Sequence, residues 1–212
     1  MTALSIDPDL VVWSDEPDAC RGRPLVLLLH GRGSDEHDLA SLASLLPARF
    51  VYASLRGPHP FGPAWAWFDD AVETPGDPSL DAADAAADAV LGWLRHLPWV
   101  PPRVGALGFS QGGALAVHLL RQSHGAVSFA ANLSGFVVGG EHPADARLAR
   151  ERPAVYWGRG TVDPFFTPAL IARAERWLAH HTALTGAVYP GLGHAVSDQV
   201  LSDVAAFLRA RS

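Results

Sequence analysis

Lysine is absent from this 212-residue sequence, and all 16 of its positively charged side chains are arginines. A phosphate-binding P-loop and a Schiff-base lysine both need the missing residue, so these two chemistries are excluded. The formal net charge of −6 argues against a nucleic-acid partner, because proteins that bind nucleic acids carry a basic excess or stripe. We therefore expect a small molecule as the partner of this chain.

Cysteine and long apolar runs are also scarce. Cys20 is the single cysteine, so no internal disulfide can form, which fits a reducing compartment. The first ten residues contain Asp7, Pro8 and Asp9 and no positive charge, and they do not have the pattern of a secretory signal. The apolar runs are far shorter than the roughly 20 residues that span a bilayer. The sequence therefore predicts a cytoplasmic protein without a membrane span.

The apolar fraction of 49% is enough for a globular core, and the length suits a single domain, 1–212. Apolar runs predict strands at 25–29, 50–53, 104–109, 127–133, 155–157 and 187–189, and an antiparallel edge strand near 10–13. Helical patterns lie between them at 35–46, 81–97, 112–122, 168–180 and 197–209. This alternation predicts an α/β fold: a mostly parallel, twisted sheet with helices on both faces and no separate cap domain.

Two segments stand apart from this alternation. Asp81, Asp84 and Asp88 follow helical spacing, which predicts a solvated helix face rather than a metal site. The segment 55–78 holds five prolines and three glycines, and irregular loops of this length are usually functional or mobile. We therefore expect a long functional or mobile loop there.

The strongest local motif is Gly108-Phe109-Ser110-Gln111-Gly112, which matches G-x-S-x-G. A predicted strand runs directly into it and a predicted helix follows, which is the setting that this nucleophile turn requires. Glycine is needed two residues either side of the serine because larger side chains would collide in the tight turn. Ser110 could instead be a simple helix cap, but the order of strand, turn and helix favours a nucleophile.

A serine hydroxyl needs a neighbouring base, and histidine is the usual one because its pKa lies near the working pH. His194 lies in a glycine-rich loop between the last predicted strand and helix, at the sheet edge where ligands bind. The acid precedes the histidine in chain order in enzymes with this turn, and Asp163 follows the strand 155–157. Asp145 and Glu151 are weaker alternatives, because no predicted strand directly precedes them.

Two backbone N–H groups would stabilise the oxyanion that forms during acyl transfer. One should belong to Gln111, the residue after the nucleophile, and the other to the loop after the first buried strand. That loop reads His30-Gly31-Arg32-Gly33-Ser34-Asp35, and we assign its donor to Arg32. His30 is expected to brace the loop by hydrogen bonding rather than to act as a base.

Five aromatic side chains near these loops either belong to the core or line an apolar acyl pocket for short or medium chains. They are Trp65, Trp67, Phe68, Phe165 and Phe166.

Together these segments show a family likeness. The chain resembles the phospholipase/carboxylesterase family of α/β-hydrolases, which is related to acyl-protein thioesterases. The segments that carry the resemblance are 29–36, 108–113, 132–135, 160–163 and 193–194, with Trp67-Phe68-Asp69 as a further match. The resemblance implies a hydrolase without metal or organic cofactor that is often a homodimer. It also implies a triad of Ser110, Asp163 and His194.

The residues leave three hypotheses for function. The first is a serine carboxylesterase that forms an acyl-enzyme on Ser110 with small to medium acyl esters. The second keeps the same triad but acts on thioesters or lysophospholipids. The third is a ligand-binding module on the same fold without catalysis, which the intact set of three groups argues against.

Overall fold

The computed structural model describes residues 4–68 and 78–211, and these residues form nine strands and seven α-helices. The strands are β1 (Val12–Trp13), β2 (Leu25–Leu29), β3 (Val51–Leu55), β4 (His59–Phe61), β5 (Ala64–Ala66), β6 (Val104–Phe109), β7 (Phe129–Leu133), β8 (Ala154–Gly160) and β9 (Ala183–Tyr189). The helices are α1 (Pro17–Cys20), α2 (His37–Ala40), α3 (Leu80–Arg95), α4 (Gln111–Gln122), α5 (Asp145–Glu151), α6 (Pro168–His181) and α7 (Asp198–Arg209).

Seven of these strands form one sheet in the order β1-β3-β2-β6-β7-β8-β9. β1 runs antiparallel to β3 at one edge, and the other neighbouring strands are parallel. Parallel strands buried on both faces need apolar residues at consecutive positions, which explains why β2 reads Leu-Val-Leu-Leu-Leu and is buried throughout. The predicted parallel sheet and its antiparallel edge strand are confirmed.

Helices cover both faces of this sheet, because alternate residues of each strand point to opposite sides. Leu25, Leu27 and Leu29 pack in one core cluster with residues of α3, α4 and α6. Val26 and Leu28 pack in a second cluster with residues of α2 and α7. The predicted arrangement, with helices on both faces of the sheet, is confirmed. The described residues form no separate cap domain.

Part of the segment 55–78 is more ordered than its prolines predict. β4 and β5 form an antiparallel hairpin, and Gly62 adopts a φ of 60° in its turn. The Trp65 N–H donates to Ser34 O at 3.0 Å, and the Gly33 N–H donates to Trp65 O at 2.8 Å. The hairpin is therefore tied to the loop after β2. Asp69, the last residue of the predicted Trp-Phe-Asp match, lies outside the described residues.

Only part of the acidic face of α3 is exposed to solvent. Asp81 and Asp88 are exposed, as the sequence predicts. Asp84 instead accepts a hydrogen bond from His118 Nε2 of α4 at 2.6 Å, and the His118 side chain is only 1% exposed. Asp84 therefore joins two helices, a contact between distant residues that helical spacing cannot reveal.

Candidate active site

The turn between β6 and α4 holds Ser110 in an unusual backbone conformation. Its φ and ψ angles are 54° and −118°, in a region where L residues are strained. A Cβ atom on Gly108 would lie 2.1 Å from the carbonyl oxygen of Gly112. A Cβ atom on Gly112 would lie 2.0 Å from the carbonyl oxygen of Leu29. These contacts explain why glycine occupies both positions of the motif.

His194 and Asp163 reach this turn from the loops after β9 and β8. His194 Nε2 lies 2.9 Å from Ser110 Oγ, and His194 Nδ1 lies 2.7 Å from Asp163 Oδ2. The Asp163 side chain is fully buried, whereas the His194 side chain is 18% exposed. The structure thus brings together three side chains that the sequence separates by as many as 84 positions.

These two hydrogen bonds assign the roles of the imidazole nitrogens. A carboxylate only accepts, so Nδ1 carries the proton and donates to Asp163, which leaves Nε2 to accept from the Ser110 hydroxyl. The other carboxylate oxygen of Asp163 accepts the Phe165 N–H at 3.0 Å. An imidazole held in this way can take the serine proton, and the buried carboxylate stabilises the imidazolium that forms.

The two alternative acids lie elsewhere in the fold. Asp145 accepts from Arg121 Nε at 3.0 Å, and Glu151 accepts from Arg147 Nη1 at 2.5 Å. Asp163 is therefore the carboxylate that the fold places beside His194.

Gln111 and Arg32 border the same cavity as Ser110. Gln111 is the first residue of α4, where backbone N–H groups point out of the helix end and favour negative charge. Arg32 follows Gly31, where a Cβ atom would lie 3.1 Å from the Phe109 ring. The two loops proposed to supply oxyanion donors therefore lie against each other beside Ser110.

His30 braces the loop that carries Arg32, as the sequence predicts. His30 is fully buried, accepts the Gly57 N–H at Nε2 (2.9 Å) and donates from Nδ1 to Gly31 O (2.7 Å). Burial lowers the pKa of His30, which favours this neutral form with one donor and one acceptor. Gly31 C=O and Arg32 N–H share one planar peptide group, so fixing the carbonyl also fixes the N–H direction.

The Gln111 side chain and Trp67 join the two loops, which the sequence does not predict. Gln111 Oε1 accepts the Trp67 N–H at 2.7 Å, and Gln111 Nε2 donates to Phe68 O at 3.2 Å. The Trp67 indole N–H donates to His30 O at 2.8 Å. In the sequence, Trp67 and Phe68 stand out as an aromatic pair in a proline-rich segment. This pattern does not identify the residues with which they form hydrogen bonds.

A cavity of about 240 Å³ opens beside Ser110 and His194. Phe165 and Phe166 lie in its wall, where the sequence places an acyl pocket. Further wall residues come from β6, α6 and the segment after β7, and they were not predicted: Phe109, Ser134, Phe136 and Leu170. Only folding brings these positions to one place.

Trp65, Trp67 and Phe68 do not line this cavity, contrary to the predicted acyl pocket. Trp67 and Phe68 are 0% and 1% exposed and pack in the core cluster with α3 and α4. Trp65 belongs to the hairpin, and the guanidinium carbon of Arg56 lies 4.9 Å from its ring centroid. The hydrogen bonds of this segment to the loop after β2 direct its aromatic rings away from the cavity.

Residues 4–68 and 78–211 contain neither a metal-binding cluster nor a membrane-spanning helix. No group of three or more His, Cys, Asp or Glu side chains in this part of the chain is placed to hold a metal ion. None of its helices combines the length and apolar character that crossing a bilayer requires.

The sequence matches a known protein family over most of its length. The family model described as Phospholipase/Carboxylesterase matches residues 16–212. The chain belongs to the phospholipase/carboxylesterase family. This confirms the resemblance stated from the sequence, and it confirms the predicted class of serine hydrolase with an α/β-hydrolase fold.

Solved structures share the fold of this family member. The carboxylesterase from Mesorhizobium loti matches with a TM-score of 0.77 and 21% identity, over 98% of this chain and 99% of that chain. The Bacillus cereus carboxylesterase matches with a TM-score of 0.78 and 19% identity, over 95% and 94%. Zea mays acyl-protein thioesterase 2 matches with a TM-score of 0.73 and 23% identity, over 94% and 97%. At these identities the likeness establishes the fold alone. A comparison with curated proteins found no match.

Proposed function

We propose that this family member is a serine carboxylesterase that hydrolyses esters of small to medium acyl groups. Ser110 is the nucleophile, His194 the general base and Asp163 the acid that orients it. The observation that carries this proposal is the contact of one imidazole with both partners, 2.9 Å to Ser110 Oγ and 2.7 Å to Asp163 Oδ2. This arrangement at a strand–turn–helix nucleophile suits acyl transfer.

Acylation begins when Ser110 Oγ attacks the ester carbonyl carbon and His194 Nε2 takes the hydroxyl proton. The carbonyl π electrons move onto oxygen, and the backbone N–H groups of Arg32 and Gln111 stabilise that negative charge. The tetrahedral intermediate then collapses, and the bond from carbon to the alcohol oxygen breaks. His194 returns its proton to the leaving oxygen, which gives a free alcohol and an acyl group on Ser110.

Deacylation repeats these steps with water. His194 Nε2 removes a proton from a water molecule, and the water oxygen attacks the acyl carbon. The second tetrahedral intermediate expels Ser110 Oγ, which recovers its proton from His194. The carboxylic acid leaves and the triad returns to its starting state.

The cavity supports a preference for small to medium acyl groups. Its volume of about 240 Å³ lies below the range of roughly 300–1,000 Å³ for pockets that take drug-sized ligands. Four phenylalanines and Leu170 line the cavity, so an acyl chain would bury hydrocarbon against them.

Covalent labelling with a fluorophosphonate probe tests the nucleophile. We expect the wild type and Ser202→Ala to be labelled, and Ser110→Ala to be neither labelled nor active. Ser202 is an exposed serine of α7 and serves as the matched control. An unlabelled wild type, or a Ser110→Ala variant that keeps its activity, would contradict the proposal.

The leaving group is tested with substrates that share one acyl chain. We expect kcat/KM for p-nitrophenyl butyrate to exceed kcat/KM for a butyryl thioester. The reverse order would assign the protein to the thioesterases, with the same triad.

A further inference from the structure

The two glycines that precede His194 have no side chain that could pack against its imidazole ring. Gly191, with a φ of 72°, and Gly193 lie just before His194, and a Cβ atom at either glycine would meet no atom within 4 Å. The two hydrogen bonds fix the positions of the ring nitrogens, but such bonds tolerate tilt of the ring about the line that joins them. Packing must therefore hold the ring plane.

Two phenylalanine rings supply that packing. The Phe165 ring lies edge-on to the imidazole, with centroids 4.7 Å apart and planes at 66°. The Phe109 ring lies at 4.8 Å and 45°. Phe109 immediately precedes Ser110, so the nucleophile turn fixes its place. Phe165 lies in a different loop, the one that carries Asp163, and its ring is the second that packs against His194.

Phe165 also contacts the acid. Its backbone N–H donates to Asp163 Oδ1 at 3.0 Å, which leaves Oδ2 to accept from His194. The Val162 N–H donates to Leu192 O at 3.2 Å and ties the acid loop to the base loop. Phe165 thus touches the acid with its backbone and the base with its ring, and it also lines the cavity.

We propose that Phe165 is a positioning residue, whose ring holds the His194 imidazole at the tilt that lets Nε2 accept the Ser110 proton. The inference rests on the proposed function. Because the ring acts through His194, its removal should slow turnover for every acyl length. A residue that only shaped the pocket would change the binding of longer chains, since an acetyl group needs little of the wall.

The test compares Phe165→Ala, Phe165→Tyr and Val162→Ala on p-nitrophenyl acetate and hexanoate. Val162 is 61% exposed, lies in the same loop and does not line the cavity. Its bond to Leu192 uses the backbone N–H, which alanine keeps, so Val162→Ala is the matched control. We expect Phe165→Ala to lower kcat by about 10- to 100-fold on both esters, with KM for acetate within about twofold of the wild type. Phe165→Tyr keeps the ring and should restore kcat to within about threefold, and Val162→Ala should match the wild type.

Two results would overturn this inference. One is a Phe165→Ala variant with wild-type kcat on acetate and a change on hexanoate alone, which would leave Phe165 as pocket wall only. The other is a Phe165→Tyr variant as slow as Phe165→Ala, which would show that the ring contact is not responsible. Phe165 is 54% exposed, so we expect Phe165→Ala to fold; if it does not, Phe165→Leu gives the same comparison. Labelling of the wild type at Ser110 separates these outcomes from a failure of the proposed function.

Discussion

Ser110 and Ser134, single residues at the cavity, hold backbone conformations that glycine adopts more easily. Their φ angles are 54° and 48°, and each such conformation costs about 1–3 kcal/mol. Backbone hydrogen bonds hold both in place: Ser110 N–H donates to Leu133 O at 2.8 Å, and Ser134 N–H donates to Gly158 O at 2.7 Å. Both residues border the cavity, whereas the other two non-glycine residues with positive φ among the described residues, His124 and Arg152, do not. The motif predicts the first of these positions and not the second.

His30→Ala tests whether one buried side chain orients the oxyanion loop. We expect kcat on p-nitrophenyl butyrate to fall about 100-fold or more, because the Arg32 N–H loses its fixed direction in the transition state. KM should change little, since the charge that this N–H stabilises is absent from the bound ester. The control is His37→Ala, because the His37 side chain is 70% exposed. An unchanged kcat, measured well below the Tm of the variant, would contradict the bracing role.

At the scale of elements, the approach of α4 to β2 sets the nucleophile turn. Gly112→Ala would place a Cβ atom 2.0 Å from the Leu29 carbonyl oxygen, so a strand or the helix must move. We expect a loss of at least about 3 kcal/mol in the free energy of unfolding, measured with urea. Gly92→Ala in α3 is the matched control: the added Cβ atom would lie 3.8 Å from Arg95 Nη2, and the change should stabilise the helix by about 0.5–1 kcal/mol. An equal change in the free energy of unfolding for Gly112→Ala and Gly92→Ala would contradict this prediction.

The burial of His118 between α3 and α4 makes stability depend on pH. Burial lowers the pKa of His118 to about 4, although the hydrogen bond to Asp84 opposes the shift. Between pH 6.5 and about 4 the unfolded chain binds a proton at this residue that the folded chain does not. The free energy of unfolding therefore falls as the pH falls through this window. His30, with its pKa lowered by burial, adds to the same trend.

Thermal unfolding at pH 7 and pH 4.5 measures this effect. We expect the wild-type Tm to be lower at pH 4.5, and the difference between the two values to shrink in His118→Gln. The difference in Tm between pH 7 and pH 4.5 is the relevant quantity, because removing a buried hydrogen bond lowers Tm at both pH values. A variant with the full wild-type difference would exclude His118 as a source.

At the scale of the whole molecule, the size of the cavity underlies the acyl length that we propose. We expect kcat/KM to be at least about tenfold higher for p-nitrophenyl butyrate or hexanoate than for the dodecanoate, because methylenes beyond the wall gain no burial. The rate should also show no jump when a long-chain ester passes its solubility limit. A steady rise in kcat/KM up to the dodecanoate would overturn the assignment of small to medium acyl groups.

Much of the fold and the three residues proposed for the triad could be predicted because their signals are local. Buried parallel strands require runs of consecutive apolar residues, and the nucleophile turn requires glycine on both sides of Ser110. His194 and Asp163 could be selected because each follows a strand, and strand ends in a parallel sheet meet at one edge.

The tertiary structure decided which side chains became partners. The hairpin β4–β5, the burial of Trp67 and Phe68, and the packing of Phe109 and Phe165 on His194 all depend on contacts between distant segments. Local sequence fixes whether a residue suits a strand, a helix or a turn, because those preferences arise from its own backbone and near neighbours. Which ring packs on which neighbour depends on how whole layers come together, so those contacts emerge only in the folded chain.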